Sequence, residues 1–388
     1  MVSSVRMTLT EVHRTIDSLW RIEAARLIAA LTRRLRDVGL AEELAQDALV
    51  SALEEWPRSG IPDNPAAWLM ATARNRAIDQ LRRAKVREGK YALVGHELEM
   101  EQEFSGGSVE GAADERLGDD LLRLIFMACH PLLSTEARSA LTLRLIGGLT
   151  TTEIARAFLT SEPTIAQRIV RAKRTLRESG VPFELPHGAE LGARLSSVLE
   201  VIYLIFNEGY SATAGEDWMR PALCEEALRI GRILAELAPF ESEVHGLVAL
   251  MEIQASRLRA RTGAAGEPVL LMQQNRGQWD ALLIQRGLLA LARGEAIPGP
   301  HGPYLLQGAI AACHARAGAA SDTDWVRITA LYDELARLTG SPVVELNRAV
   351  AVAMAYGPAA GLELADRLVA QGRLATYHLL PSVRADLL

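Results

Sequence analysis

Apolar residues in the first half of the chain recur at helical spacing and are interrupted by turn signals. Residues 10–36 place Ile16, Leu19, Trp20, Ala24, Leu27, Ile28, Leu31 and Leu35 three to four positions apart, which predicts one long amphipathic helix broken by Gly39. Residues 41–55 predict a second helix, with Leu44, Ala48, Leu49 and Leu53 inward and Glu42, Glu43, Gln46 and Asp47 on the polar face. WPRSGIPDNP then reads as a loop dense in Pro and Gly. Residues 65–85 predict a third helix opened by Pro65, with Trp68, Leu69, Ala73, Ile78 and Leu81 as its apolar stripe. Residues 86–118 lose periodicity and are rich in Gly, Ser and Glu, which predicts a flexible linker. Residues 119–135 and 136–147 predict two more apolar helices, stopped by Pro131 and by Gly147-Gly148.

The stretch 150–177 carries the most specific local pattern. Thr150 and Glu153 have the spacing of a capping box, Ser161 is a natural cap for a following helix, and Pro163 falls in that helix's first turn. Ile165, Ile169 and Leu176 make its apolar side, and Gln167, Arg168, Arg171, Lys173, Arg174 and Arg177 its polar side. A capped helix, a short turn and a second helix with a basic outer face is the helix-turn-helix pattern. The same pattern also fits a plain αα-hairpin with a solvated charged face.

Beyond the prolines of residues 181–187 the chain again reads as helices, near 278–293, 303–317, 324–338, 343–355, 358–370 and 374–388, preceded by an apolar helix through RLSSVLEVIYLIFNEGY and a pair flanking Pro239. The distance from Pro342 to Leu374 is close to the ~34-residue period of tetratricopeptide units. Period and pairing, not consensus, predict a repeat-like array. Its closing stretch, LPSVRADLL, reads as lacking the polar capping helix with which such arrays finish, which predicts a truncated or short form. Asn207, Glu208 and Tyr210 cluster in FNEGY without a nucleophile–base pair. A helix stop with Gly209 left-handed accounts for them, as does a seat for the extension against the preceding domains. The fold class is therefore all-α. The domains divide at 1–87, 88–118, 119–180 and 181–388.

The net charge of −6 argues against nucleic acid until its distribution is read. Ala67 to Lys90 holds seven bases against two acids, and Glu136 to Glu178 eight against four. Glu97 to Asp120 holds nine acids and one Arg. Local charge governs contact with phosphate, so two basic patches in the first half suit a nucleic-acid partner. Cys129, Cys224 and Cys313 are odd in number and far apart, which fits a reducing compartment without a disulfide framework. Cys129-His130 and Cys313-His314 are adjacent pairs that diverge by about 100° on a helix and have no C-x-x-C partner, so no metal site and no cofactor are expected. No signal-peptide pattern opens the chain and no apolar run reaches about 18 residues, so the expected location is cytoplasmic, away from any membrane.

DNPAAWLMATARNRAIDQLRR closely resembles region 2 of the extracytoplasmic-function (group IV) sigma factors of bacterial RNA polymerase. AEELAQDALVSALEEW resembles their polymerase-gripping helix, and residues 150–177 with SALTLRLIGGLTTTEIA ahead resemble their region 4. Two such blocks in the right order are far more specific than either alone. The resemblance implies a non-enzymatic promoter-recognition subunit, nucleoid-associated when in holoenzyme. Its partners would be promoter DNA and core RNA polymerase, through the β′ clamp helices and the β flap.

It places −10 recognition on Asp63, Asn64, Arg74, Asn75, Arg76, Asp79, Arg82 and Arg83, where a flipped base would need a pocket to offset the cost of unstacking. An ion pair from Asp79 to Arg76, Arg82 or Arg83 fits that residue equally well. It places −35 recognition on Glu162, Thr164, Gln167, Arg168 and Arg171 in the major groove, with Lys173 and Arg174 on phosphate. SEPTIAQRIVRAKR departs from the family's Gly-Thr-Val near the helix start, which changes the expected −35 sequence. Polymerase binding falls to Glu42, Glu43, Gln46 and Asp47, whose plain reading is a solvated face.

Residues 191–388 resemble the helical-repeat extension of a minority of these factors, implying a regulatory protein partner or an intramolecular contact. Two other classes also fit: an operator-binding helix-turn-helix regulator with a sensing repeat domain, and a scaffold whose repeats are the working part.

Overall fold

A computed structural model describes residues 9–88, 110–158, 160–211, 219–263, 267–372, 374, 377 and 379–388. Most of the expected linker, residues 89–109, lies outside the described residues, as do residues 212–218. The described chain is helical throughout, with one isolated bridge, Thr262 to Pro268, across the Gly-rich break. It forms two compact units, residues 1–204 and 205–388.

In the first unit α1 (Leu9–Leu35) packs on α2 (Val38–Ser59), α3 (Pro65–Glu88) and α4 (Glu110–Ala128). Ile16, Ala24, Leu27, Ile28 and Leu31 are buried, as their spacing predicts. The break after α1 is not at Gly39. The chain turns at Arg36, which has φ 52°, and Asp37 caps α2 by accepting from the N–H groups of Gly39 and Leu40 at 2.8 and 3.1 Å. A carboxylate that satisfies two unpaired helix N–H groups fixes the start of α2 ahead of the glycine.

α2 also runs further than expected, through Pro57 to Ser59. Trp56, expected in a loop, is a buried helical residue packed edge-on against Trp68 with ring centroids 5.3 Å apart. The loop is thereby cut to residues 60–64. Asn64 closes it by accepting from the Ala67 N–H at 3.0 Å, which caps α3. α4 begins nine residues before the expected position 119.

α5 (Thr135–Leu145), α6 (Thr151–Ala157) and α7 (Glu162–Glu178) follow. The capping box is present: the Thr150 N–H donates to Glu153 at 2.7 Å and the Glu153 N–H to the Thr150 hydroxyl at 3.1 Å. Ser161 caps α7 through the Thr164 N–H. Ile154, Ile165, Ile169, Ala172 and Leu176 are buried under the two helices. The prolines of 182 and 186 sit in irregular chain, but the next helix, α8 (Ala189–Tyr210), starts within the first unit. Arg194 donates to the Phe126 carbonyl at 3.0 Å, Ser197 to the Cys129 carbonyl at 2.7 Å, and Arg138 pairs with Glu200 at 3.2 Å.

The second unit opens with the last turns of α8. Gly209 is helical and is not among the positive-φ residues, so the left-handed stop expected there is replaced by a close approach. A Cβ at 209 would sit 2.7 Å from the Cys224 backbone nitrogen and 2.9 Å from the Arg220 carbonyl. Glu208 pairs with Arg220, and the Arg261 guanidinium lies over the Tyr210 ring, 3.6 Å from its centroid. FNEGY is therefore a packing motif of this unit.

α9 (Pro221–Leu237), α10 (Ser242–Ala255), α11 (Ala281–Ala296), α12 (Pro303–Arg316), α13 (Trp325–Thr339), α14 (Pro342–Tyr356) and α15 (Pro358–Ala370) pack largely on their neighbours in order, with α10 also against α12. Gly246 lets α12 approach, since a Cβ there would stand 2.4 Å from the Leu305 nitrogen. Glu243 caps α12 from α10, accepting from Tyr304 and Leu305 N–H at 2.8 and 3.0 Å. Burial raises its carboxyl pKa, against the pull of those two bonds. α16 (Leu379–Leu387) buries Leu380 against α14 and α15 and leaves Ser382 and Asp386 exposed. The last described helix thus has a polar outer side, which the sequence pattern did not lead one to expect.

His314, on α12, is buried edge-on against Trp325, and burial, then Arg257 and Arg276, push its imidazole down to about 4. The unfolded chain takes up this proton near pH 6.5 and the folded chain only near 4. Stability present above pH 6.5 is therefore lost as pH falls through that window. Urea unfolding of the full chain between pH 7 and 4 should show an acid loss on the order of 3 kcal/mol greater than in His314→Gln; equal slopes would contradict the assignment. Asn64→Ala should lower stability by about 1 kcal/mol through loss of its cap, whereas Asp63→Ala should change it by less than about 0.5 kcal/mol. The same denaturation assay reads both.

Candidate nucleic-acid and polymerase interfaces

α7 has two working sides, separated by the helical step. Thr164, Gln167, Arg168 and Arg171 recur at three- and four-residue spacing and share one side. Glu162, Thr164, Gln167 and Arg171 are exposed, and Arg168 is half-buried. Arg168 lies near Glu136, whose carboxyl is held below its usual range by hydrogen bonds from its own N–H and Ser134, with smaller help from Arg168. Arg174 is exposed and pairs with Glu178 at 3.1 Å, a surface contact worth a few tenths of a kcal/mol that leaves the guanidinium accessible.

Lys173 and Arg177 fall on the other side, four residues apart. Lys173 contacts the Glu42 carboxylate, and Arg177 approaches Asp37 at 3.7 Å. Of the expected −35 residues, Lys173 is thus the one turned toward α2.

Asp63 and Asn64, in the loop before α3, and Asn75 and Asp79, on α3, are exposed, and Arg74 is half-buried. Arg76 bonds to α2, with Asp47 at 3.3 Å and the Ser51 hydroxyl at 2.7 Å. Of the three arginines that fit an ion pair with Asp79, Arg76 pairs with Asp47 instead. The side chains of Arg82 and Arg83 lie outside the described residues.

The polar face of α2 divides. Glu43 is exposed, and Gln46 and Asp47 are half-buried. Glu42 is only 4% exposed. It accepts from Gln46 at 2.5 Å and from Arg144 of α5 at 2.6 Å, and it contacts Lys173 of α7. Arg144 also donates to the Leu149 carbonyl at 3.0 Å, one residue before the capping box. Sequence patterns gave no sign of Arg144, because its partner is 102 residues away.

The cysteine–histidine pairs have separate local roles. Cys129 is buried against the Thr142 hydroxyl at 3.3 Å, and burial pushes its thiol up to about 11. The His130 Nδ1 accepts from the Leu132 N–H at 3.2 Å. Among the described residues no His, Cys, Asp and Glu cluster suits a metal ion, and no helix is long and apolar enough to cross a membrane.

The exposed polar groups of α3 and α7 include guanidiniums, amides, a hydroxyl and carboxylates. Guanidiniums are the group type that neutralises phosphate, and amides, hydroxyls and carboxylates can hydrogen-bond to base edges.

Three family models match the chain: Sigma-70 region 2 over residues 19–87, Sigma-70 region 4 over 123–176, and a family of unknown function (DUF6596) over 194–295. An uncharacterised protein of Rhizobium meliloti (strain 1021) is 43% identical over 362 residues, which cover 93% of this chain and 84% of that one. The ECF RNA polymerase sigma factor SigK of Mycobacterium ulcerans (strain Agy99) is 30% identical over 159 residues, 39% of this chain and 78% of the relative. The ECF RNA polymerase sigma factor SigC of Mycobacterium tuberculosis (strain CDC 1551 / Oshkosh) is 28% identical over 176 residues, 45% and 83% of the two chains. No solved structure matches. Both sigma regions occur here in order, and the chain belongs to the ECF RNA polymerase sigma factors, with a C-terminal helical extension.

Proposed function

We propose that the protein directs core RNA polymerase to promoters by using α7 at the −35 element and α3 with its preceding loop at the −10 element. Glu162, Thr164, Gln167, Arg168 and Arg171 meet base edges and the nearby backbone, and Lys173 and Arg174 meet phosphate. Asp63, Asn64, Arg74, Asn75, Arg76, Asp79, Arg82 and Arg83 serve the −10 strand. Glu42, Glu43, Gln46 and Asp47 dock on the β′ clamp helices, and the region-4 helices on the β flap. The protein works in the cytoplasm, on the nucleoid when in holoenzyme. It catalyses nothing itself, since the polymerase supplies the chemistry. The helical extension binds a regulatory partner or modulates the other modules.

The observation that carries this reading is the exposed, doubly capped helix-turn-helix joined in one compact unit to a second basic helix. A simple operator-binding regulator has no use for the second module.

Run-off transcription on supercoiled DNA from the protein's own upstream region tests it. Core polymerase with this protein should give discrete transcripts, and core alone should not. Charge reversal at Arg168 and Arg171 should lower the yield at least tenfold and reduce the salt slope of promoter binding by about 2. Full yield from the double variant would remove α7 from the −35 role.

A further inference from the structure

One side of α11 in the second unit is left uncovered. Gly287, Ala290, Leu291 and Gly294 form its buried side, where a Cβ at 287 would stand 2.6 Å from Ile253 of α10. Leu282, Arg286, Leu289 and Arg293 recur four, three and four residues apart on another side, and all four are exposed. Each leucine is 54% exposed. The stripe runs about 16 Å along the helix. At its N-terminal end a cavity of about 590 Å³ is lined in part by Leu282, Arg259 and the indole of Trp279.

The charge on this stripe is not balanced locally. Exposed arginines on other helices pair with a carboxylate one turn away, as Arg174 does with Glu178 at 3.1 Å and Arg367 with Glu363 at 3.2 Å. Residues 281–294 contain no acid, and Glu295 falls on a different side of the helix from Arg293. Among the described residues Arg259, Arg286 and Arg293 enter no ion pair. Asp280, the carboxylate at the cavity, is held by the N–H groups of Leu282 and Leu283 at 2.9 and 3.1 Å. The stripe thus gathers positive charge on a unit that holds more acids than bases.

A phosphate backbone offers nothing to cover leucines set between guanidiniums, and the acidic balance of the unit opposes it. A protein segment that alternates carboxylates with apolar anchors answers both features. We propose that the Leu282, Arg286, Leu289 and Arg293 stripe, with its adjoining cavity, docks an acidic amphipathic segment of another protein. The inference rests on the proposed partner-binding role of the extension and names the chemistry of that partner. About three helical turns of the segment match the stripe, with carboxylates on the arginines and an apolar side chain in the cavity beside Trp279.

The test places a photo-crosslinking amino acid at exposed Gln285 of the full-length chain, expressed in the cells it comes from, and identifies the adduct by mass spectrometry. The adduct should be a peptide of another protein with net negative charge and apolar residues. Its yield should fall about fivefold or more in Arg286→Glu/Arg293→Glu and persist in Arg286→Lys/Arg293→Lys. Equal yields from the native and reversed chains would overturn the docking surface. So would no adduct, one within this chain, or one with nucleic acid, lipid or a neutral or basic peptide. Should the reversed chain fail to fold, the identity of the native adduct and its persistence in the lysine variant decide. Capture of the acidic segment by a chain that gives no transcripts with core polymerase would leave this surface standing and remove the sigma reading.

Discussion

A carboxylate removed from water needs cations around it, and Glu42 obtains both of its cations from helices more than 100 residues away in sequence. An ion of this kind costs several kcal/mol to bury and is tolerated only where the pairing geometry is good. Arg144 and Lys173 supply that geometry, and Gln46 fixes the carboxylate from its own helix. The consequence reaches along α7. With Lys173 and Arg177 turned toward α2, the helical step leaves Thr164, Gln167 and Arg171 outward. One buried charge thereby orients α7 within the first unit.

The second unit is held by a different device. Its helices come close because glycines stand at the crossings, Gly209 against α9 and Gly246 against α12. Close approach brings Glu243 to the start of α12, where its carboxylate satisfies N–H groups that α12 cannot satisfy itself. Buried polar groups such as Glu252, paired with Arg232 at 2.7 Å, add further fixed contacts. The match to a family of unknown function covers the early part of this stack, and the Rhizobium meliloti relative spans nearly the whole chain. The extension therefore travels with the sigma regions in that relative as well.

What was legible in the sequence was local. The capping box at Thr150 and Glu153, the Ser161 cap and the apolar stripe of α7 depend on residues three or four apart, and all three are present in the structure. Helix ends were less legible wherever a side chain overruled the usual punctuation. Asp37 caps α2 ahead of Gly39, Arg36 takes the positive φ that a glycine usually takes, and α2 continues through Pro57. Gly209 was misread because a glycine in a helix-ending pattern looks the same whether it supplies a left-handed turn or room for a neighbour. The Glu42 cluster was not legible at all. Arg144 sits in an apolar helix with no charged motif around it, and only tertiary packing brings Glu42 to it. Exposure of the polar face of α2 divides for the same reason: sequence groups Glu42 with Glu43 and Asp47, and packing separates them.

The proposed function requires α3 and α7 to act on one promoter as parts of a single initiation complex. Permanganate footprinting on supercoiled promoter DNA, paired with nuclease protection, reads both surfaces at once. Reactive thymines around −10 should appear together with protection near −35 only when core polymerase and this protein are both present. Protection by the protein alone over a symmetric site, with no reactive thymines when polymerase is added, would contradict it.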